Sequence, residues 1–253
     1  MLYTEHNITV IEMDINESLL QEADDSYSVV YADPPWSYAR QVGNGVLKKK
    51  RGPEHYQTMT NADIVGMGPQ IQRITRKNSA LLLWATMPNL PVALETMQAW
   101  GFKYKTCFAT WVKTNKAGNK PFFGVGYYTR SNAELCLLGV RGKIASYKHP
   151  LEGEVQVNNP NAMTSVVMLK PEDTAAAILA DMGSTCVEAP REHSRKPNTV
   201  RDNIVTFFGN VPRVELFARE KAPGWTILGN QDDKFDEQMA LALGKDKRRK
   251  ITK

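Results

Sequence analysis

The chain carries its densest set of reactive groups at Asp33-Pro34-Pro35-Trp36, directly after the apolar run Tyr27-Ser28-Val29-Val30-Tyr31-Ala32. Asp33 offers a carboxylate, Pro34 a carbonyl with no N–H of its own, and Trp36 a flat aromatic face. Acceptors beside a π face suit an amino group on a planar ring, and a nucleobase with an exocyclic amine has both features. The alternative is a plain Asp-Pro-Pro turn whose indole covers the core. Neither proline donates to a strand ladder, and each forces the residue before it out of the helical region. Asp33 is therefore expected at a strand tip, with Trp36 turned outward beyond it.

Such a tip needs a strand behind it, and the β-formers Val29, Val30 and Tyr31 predict one. Ile8 to Met13 alternates as a first strand should, ending at Asp14-Ile15-Asn16, and Glu17 to Ala23 predicts a short helix. Residues 37–56 form a long loop marked by Gly43, Gly45, Gly52 and Pro53, a length that is usually functional or disordered. Thr60-Asn61-Ala62-Asp63 opens a helix in a capping-box pattern, which Gly66, Gly68 and Pro69 interrupt. Ala80 to Ala85 is continuously apolar, as in a strand buried on both faces. Asn89 is the expected cap of the next helix, with Pro91 in its first turn, Leu90, Ala93, Leu94 and Met97 along one face, and Gly101 at its end.

Tyr104 to Val112 and Ala133 to Val140 continue the strand series around a loop, Lys113 to Arg130, rich in glycine, lysine and aromatics. After a polar, turn-rich stretch, Glu172 to Met182 predicts a helix and Thr185 to Ala189 a strand. Pro197 to Phe208 is an amphipathic helix closed by Gly209, and strands follow at Arg213 to Ala218 and Trp225 to Leu228. Alternating strands and helices predict an α/β domain with a mostly parallel sheet. The short link 219–224 predicts that the last two strands form a terminal antiparallel hairpin. Ligands of such sheets gather beyond the carboxyl ends of the strands, so Asp33, the 113–130 loop and Arg219 belong on one rim.

Composition narrows the class of protein. The 253 residues are 42% hydrophobic, enough for one large core, and no run approaches the roughly 20 apolar residues of a membrane span. Met1 to Asn16 has acids and no apolar segment, so no export signal is expected. Cys107, Cys136 and Cys186 lie apart in apolar runs, and His6, His55, His149 and His193 show no ligand spacing. They predict reduced core thiols, a cytoplasmic location and no metal centre. The net charge of +5 resides in the last nine residues, 245–253, leaving 26 basic and 26 acidic residues elsewhere. This basic tail and the run Lys48-Lys49-Lys50-Arg51 suit phosphate contacts, against the alternative of a solvated tail and loop.

Several segments in order match one family. They are Asp33-Pro34-Pro35-Trp36, His55-Tyr56 with Thr58-Met59-Thr60, Leu81 to Ala85, Trp111-Val112-Lys113-Thr114, Glu134 to Gly142, His193-Ser194-Arg195-Lys196-Pro197, Glu215-Leu216-Phe217-Ala218-Arg219, and Trp225 to Gln231. In these the chain resembles the MT-A70-like methyltransferases, which act on the N6 amine of adenine in RNA or DNA. The resemblance implies a Rossmann-like methyltransferase fold over 1–244 and S-adenosyl-L-methionine as methyl donor. It implies a catalytic Asp33, Pro34, Pro35 and Trp36, and cofactor contacts from Asp14, Ile15, Lys196, Phe217, Arg219, Asn230 and Gln231. Lys196 or Arg219 suits the cofactor's carboxylate or ribose, and Asn230 and Gln231 offer paired donors and acceptors, unless they are merely a polar turn.

On this reading the Asp33 carboxylate and Pro34 carbonyl accept hydrogen bonds from N6, and Trp36 and Tyr38 stack on the base. His55 and Tyr56, with Lys113 and Arg130 in the second loop, are the expected substrate contacts. The compact set of motifs, with no evident RNA module, favours DNA over RNA. RNA methylation, a silent nucleic-acid-binding subunit and cytosine N4 methylation stand as alternatives. Relatives often work as pairs, so a second copy or a methyltransferase-like partner is implied. Two features depart from the family pattern. Residues 143–184 look like an insertion, either a target-recognition element or a surface excursion, and Ala218 stands where a glycine often follows the phenylalanine.

Overall fold

The structure, a computed structural model, describes residues 15–37, 58–115, 120, 122, 128–144, 185–188 and 195–229. The run Tyr27–Ala32 forms β1, and all six of its residues are buried. A strand buried on both faces belongs inside a sheet. β1 lies there, parallel to β2 (Thr75–Thr86) on one side and to β6 (Arg213–Leu216) on the other. The remaining strands are β3 (Lys103–Lys113), β4 (Ala133–Arg141), β5 (Thr185–Glu188) and β7 (Thr226–Leu228). The seven strands follow the order β5-β3-β4-β2-β1-β6-β7, so β1 lies where the chain turns from one half of the sheet to the other.

The α/β expectation is met, but the terminal hairpin is not. β6 and β7 pair in parallel, from Val214 opposite Thr226 to Leu216 opposite Leu228. The link between them runs back to the start of β6, where Arg213 Nε donates to the Gly224 carbonyl at 2.8 Å and Gly224 turns the chain at φ 74°. The antiparallel strand is instead internal: β4 opposes both β2 and β3.

Alternation along the strands divides the core in two. Val30, Ala32, Leu81, Leu83 and Ala85 face α1 (Ile15–Gln21), α2 (Asn61–Gly66), α3 (Gly68–Ile74) and α4 (Leu90–Ala99). Val29, Tyr31, Ala80, Leu82 and Trp84 face α5 (Asn198–Phe208), which contributes Val200, Ile204 and Phe208. Thr60 caps α2 as expected, its Oγ1 accepting the Asp63 N–H at 3.1 Å. Asn89 sits at the start of α4 without capping it: its side chain donates to Thr86 Oγ1 at 3.2 Å. Leu94 is exposed, and Thr96 takes the buried place by donating its hydroxyl to the Val92 carbonyl.

The expected strand 8–13, helix 172–182, loop at 38–56, most of the 143–184 insertion and the 245–253 tail lie outside the described residues. Among the described residues no helix is long and apolar enough to cross a membrane.

The close approach of α3 to the end of α4 requires a glycine at position 68. A Cβ on Gly68 would lie 2.4 Å from the Ala99 carbonyl oxygen at the end of α4, whereas one on Gly66 would meet nothing within 4 Å. Gly68→Ala should therefore destabilise the protein by about 1–3 kcal/mol, as overpacking does. Gly66→Ala should leave stability equal or raise it by about 0.5–1 kcal/mol. Urea unfolding of the two variants checks the contrast.

Candidate active site

The prolines fix the end of β1 and pin it to its neighbours. The Pro34 carbonyl accepts the Trp36 N–H at 2.8 Å, and the Pro35 carbonyl accepts the Met59 N–H at 3.1 Å. Trp36 does not turn outward. It is 3% exposed, and its indole N–H donates to the Trp84 carbonyl at 3.0 Å. A large aromatic face gains by burial, and a carbonyl near the end of β2 satisfies its single polar atom. Trp36 therefore covers the core, while Asp33 follows the alternation of Val29 and Tyr31 onto the α5 face.

On that face two carboxylates and two lysines alternate. Lys196 Nζ, just before α5, lies 2.5 Å from Asp33 Oδ2 and 3.2 Å from Glu134 Oε2. Glu134, at the start of β4, also accepts from Lys113 Nζ at the end of β3. Both ammonium groups lie over indoles, Lys196 at 5.4 Å from the Trp84 ring and Lys113 at 4.7 Å from the Trp111 ring. The two indoles meet edge to face at 6.5 Å, and Trp84 Nε1 donates to Tyr31 Oη at 2.7 Å. An aromatic floor thus spans the tips of β2 and β3 beneath the charges.

Burial sets the acid–base behaviour of the row. It pushes the Asp33 carboxyl above the ordinary carboxylate value, against the opposing pull of Lys196. Burial also penalises the Lys196 ammonium, but Asp33 and Glu134 outweigh it and hold the lysine protonated. For Glu134 the burial penalty is overcome by Lys196 and Lys113, which keep it ionised below its usual range. Asp33 is the most accessible member, with 24% of its side chain exposed against 10% for Lys196 and 13% for Glu134.

Part of the expected rim falls on described residues, most of 116–127 in the second loop lying outside them. Asp33, Pro34 and Pro35 follow β1, and Arg219 is near enough to lower the Asp33 pKa. Phe217 follows β6 in the left-handed region at φ 60°. Ala218 itself is outside the left-handed region, so its backbone does not require a glycine. Ile15 opens α1 and is buried in the core. Lys196 joins the rim through the carboxylates. Lys113 points its ammonium at Glu134, and Arg130 is exposed on the loop beyond β3. Asp14, Tyr38, His55, Tyr56, Asn230 and Gln231 lie outside the described residues.

Sequence reasoning assigned no role to Glu134, Trp84 or Trp111. The available signal was an acid at the head of an otherwise apolar strand, where only a buried cation makes it tolerable.

The MT-A70 family model matches residues 27–180 and 170–231. The chain belongs to the MT-A70 family. Its members are S-adenosylmethionine-dependent N6-adenine methyltransferases. The chain is 26% identical over 216 residues to the type II methyltransferase M.MunI of Mycoplasma sp, covering 80% of this chain and 76% of that protein. It is 26% identical over 210 residues to the human N(6)-adenosine-methyltransferase catalytic subunit METTL3, covering 82% of this chain but 28% of that protein. An Arabidopsis thaliana N(6)-adenosine-methyltransferase MT-A70-like protein is also 26% identical, over 209 residues, with 81% of this chain and 24% of the relative covered. The chain thus spans about a quarter of the METTL3-like relatives' length and three quarters of M.MunI.

Among the described residues the charge row rests on Glu134, the carboxylate that both lysines share. Glu134→Ala would take a carboxylate from both Lys113 and Lys196. Breaking a buried pair from one side costs about 3–5 kcal/mol. The expected result is a loss of that size in urea unfolding, with Glu134→Gln intermediate.

Proposed function

We propose that the chain methylates the exocyclic N6 amine of adenine in DNA, with Asp33 as the group that receives and orients that amine. The observation that carries this reading is the placement of Asp33: a carboxylate at the rim, partly open to solvent, backed by a buried lysine and an aromatic floor. Such a group accepts a hydrogen bond from an incoming N–H while its charge remains compensated from behind. The Pro34 carbonyl already accepts one N–H, from Trp36, and its second lone pair remains for the same amine.

The donor set fits S-adenosylmethionine, whose groups are a sulfonium and amine, a carboxylate, a ribose diol and an adenine ring. The Asp33 carboxylate suits a cation, and Lys196 and Arg219 suit the carboxylate and the diol, the latter as a fork. Phe217 and Ile15 supply apolar contact, and Asp14, Asn230 and Gln231 complete the proposed pocket. The cofactor supplies an electrophilic methyl group on a sulfonium that leaves as a neutral thioether. The chain's own residues do the rest by position and electrostatics. Asp33 accepts from N6, which draws the lone pair out of conjugation with the ring. Once the N–C bond forms and the C–S bond breaks, the surplus N6 proton passes to the Asp33 carboxylate and on to solvent.

DNA is favoured by M.MunI, a type II methyltransferase matched over most of its length. The METTL3 relatives favour RNA as the second reading. The target base must leave a duplex before it reaches Asp33, at a cost of roughly a few kcal/mol. Exposed Phe122, Tyr128 and Arg130 on the loop beyond β3, with Tyr38, His55 and Tyr56, are the proposed contacts to it and its neighbours. The tail 245–253 adds phosphate contacts. METTL3 is described as a catalytic subunit, and a second copy of this chain or a methyltransferase-like partner is proposed here too.

The test uses cofactor labelled at the methyl, matched DNA and RNA oligonucleotides in competition, and mapping of the modified base. Label on N6 of adenine in DNA is expected. Asp33→Asn keeps the shape and removes the charge, and should slow transfer by about 10²–10³-fold. A strong preference for RNA would overturn the choice of DNA, and an Asp33→Asn protein as fast as the parent would overturn the role of Asp33.

A further inference from the structure

A second set of buried ions lies on the α5 side of the site. Arg201, in the first half of α5, reaches two carboxylates at once. Its Nε and Nη2 donate to Glu215 Oε2 and Oε1 at 2.8 and 3.0 Å, and its Nη1 donates to Glu220 Oε1 at 3.1 Å. The other oxygen of Glu220 accepts from Arg195 Nη2 at 2.5 Å. All four side chains are between 11% and 13% exposed.

The sequence positions of these four give the set its meaning. Arg195 directly precedes Lys196, Glu220 directly follows Arg219, and Glu215 lies two residues before Phe217. Two guanidiniums, Arg195 beside Lys196 and Arg201 on α5, therefore tie the segment presenting Lys196 to the turn presenting Phe217 and Arg219. That turn carries a non-glycine residue in the left-handed region, which persists only where the surroundings over-determine it. The far side of the turn is equally constrained, because a Cβ on Gly229 would lie 2.5 Å from the Ala218 carbonyl oxygen. A buried ion set is seldom the most stable way to fill such a space, since well-packed apolar groups often do as well or better. A planar fork has a different advantage, holding two carboxylates at fixed angles.

We propose that Arg201 is a positioning residue for the cofactor site, holding Lys196 and the Phe217–Arg219 turn at the spacing S-adenosylmethionine requires. Glu220 is its link to the Lys196 segment, through Arg195. This inference rests on the reading that Lys196 and Arg219 bind the cofactor.

The experiment measures the cofactor Kd by calorimetry on the folded full chain, together with KM for cofactor, KM for oligonucleotide, kcat and melting temperature. Arg201→Lys keeps the charge and loses the fork, and Glu220→Gln keeps the size and weakens both links. Each should raise the cofactor Kd and KM about tenfold or more, the scale on which misplacement acts from outside the reacting groups. The oligonucleotide KM should stay within about twofold, because neither residue is among the proposed contacts to the target base. Lys196→Met and Arg219→Ala serve as references. If these references weaken the cofactor Kd and the Arg201 and Glu220 variants do not, the positioning role is overturned alone. If the references leave the Kd unchanged, the cofactor pocket itself has been misassigned. A melting temperature that falls while the Kd per folded molecule holds identifies a purely structural network and also overturns the proposal.

Discussion

The site depends on one ammonium group, that of Lys196, held between the carboxylates of Asp33 and Glu134 at 2.5 and 3.2 Å. Two acids at the tips of β1 and β4 and a lysine from the approach to α5 have no reason to be buried individually. Together they neutralise one another, and Lys113 balances the second carboxylate. Taking such groups out of water is expensive, and pairing recovers that cost without making the row a strong source of stability. Its value lies in placement, since it leaves a partly open carboxyl group backed by an ammonium at the rim where the sheet changes direction.

The sheet makes that placement reproducible. β1 is buried along its whole length and flanked by parallel partners, so Asp33 emerges from a strand fixed on both sides. Two prolines stop the strand there, and Trp36 bolts the turn to the end of β2 through its indole N–H. Trp84 and Trp111 continue that function on the opposite face, filling the space under the lysines with π surface. A cation taken out of water is better compensated over an indole face than over an aliphatic side chain. Packing and electrostatics are thus the same contacts counted in two ways.

Much of this was legible in the residues. The β1 run, the apolar core of β2, the α2–α3 break and the closure of α5 at Gly209 all follow from local patterns that each need one short window. The direction of β7 did not, because a short link suggests a hairpin while the parallel pairing depends on Arg213 drawing Gly224 back along the sheet. The inward turn of Trp36 has a similar origin: it depends on a carbonyl 48 positions away. Glu134 went without a role because its partners come from two other segments, and no window around position 134 contains them. Local order was readable; the pairing of distant charges was not.

The central claim is that Asp33 works as a carboxylate whose charge Lys196 sustains. Burial raises the Asp33 pKa and Lys196 lowers it, so the rate should fall as pH drops through that pKa and Asp33 takes up a proton. The most direct measurement is the pH dependence of single-turnover methyl transfer at saturating cofactor, in the parent and in Lys196→Met. Without the lysine, the acid limb should move to higher pH. A limb that stays in place or moves to lower pH would contradict the account.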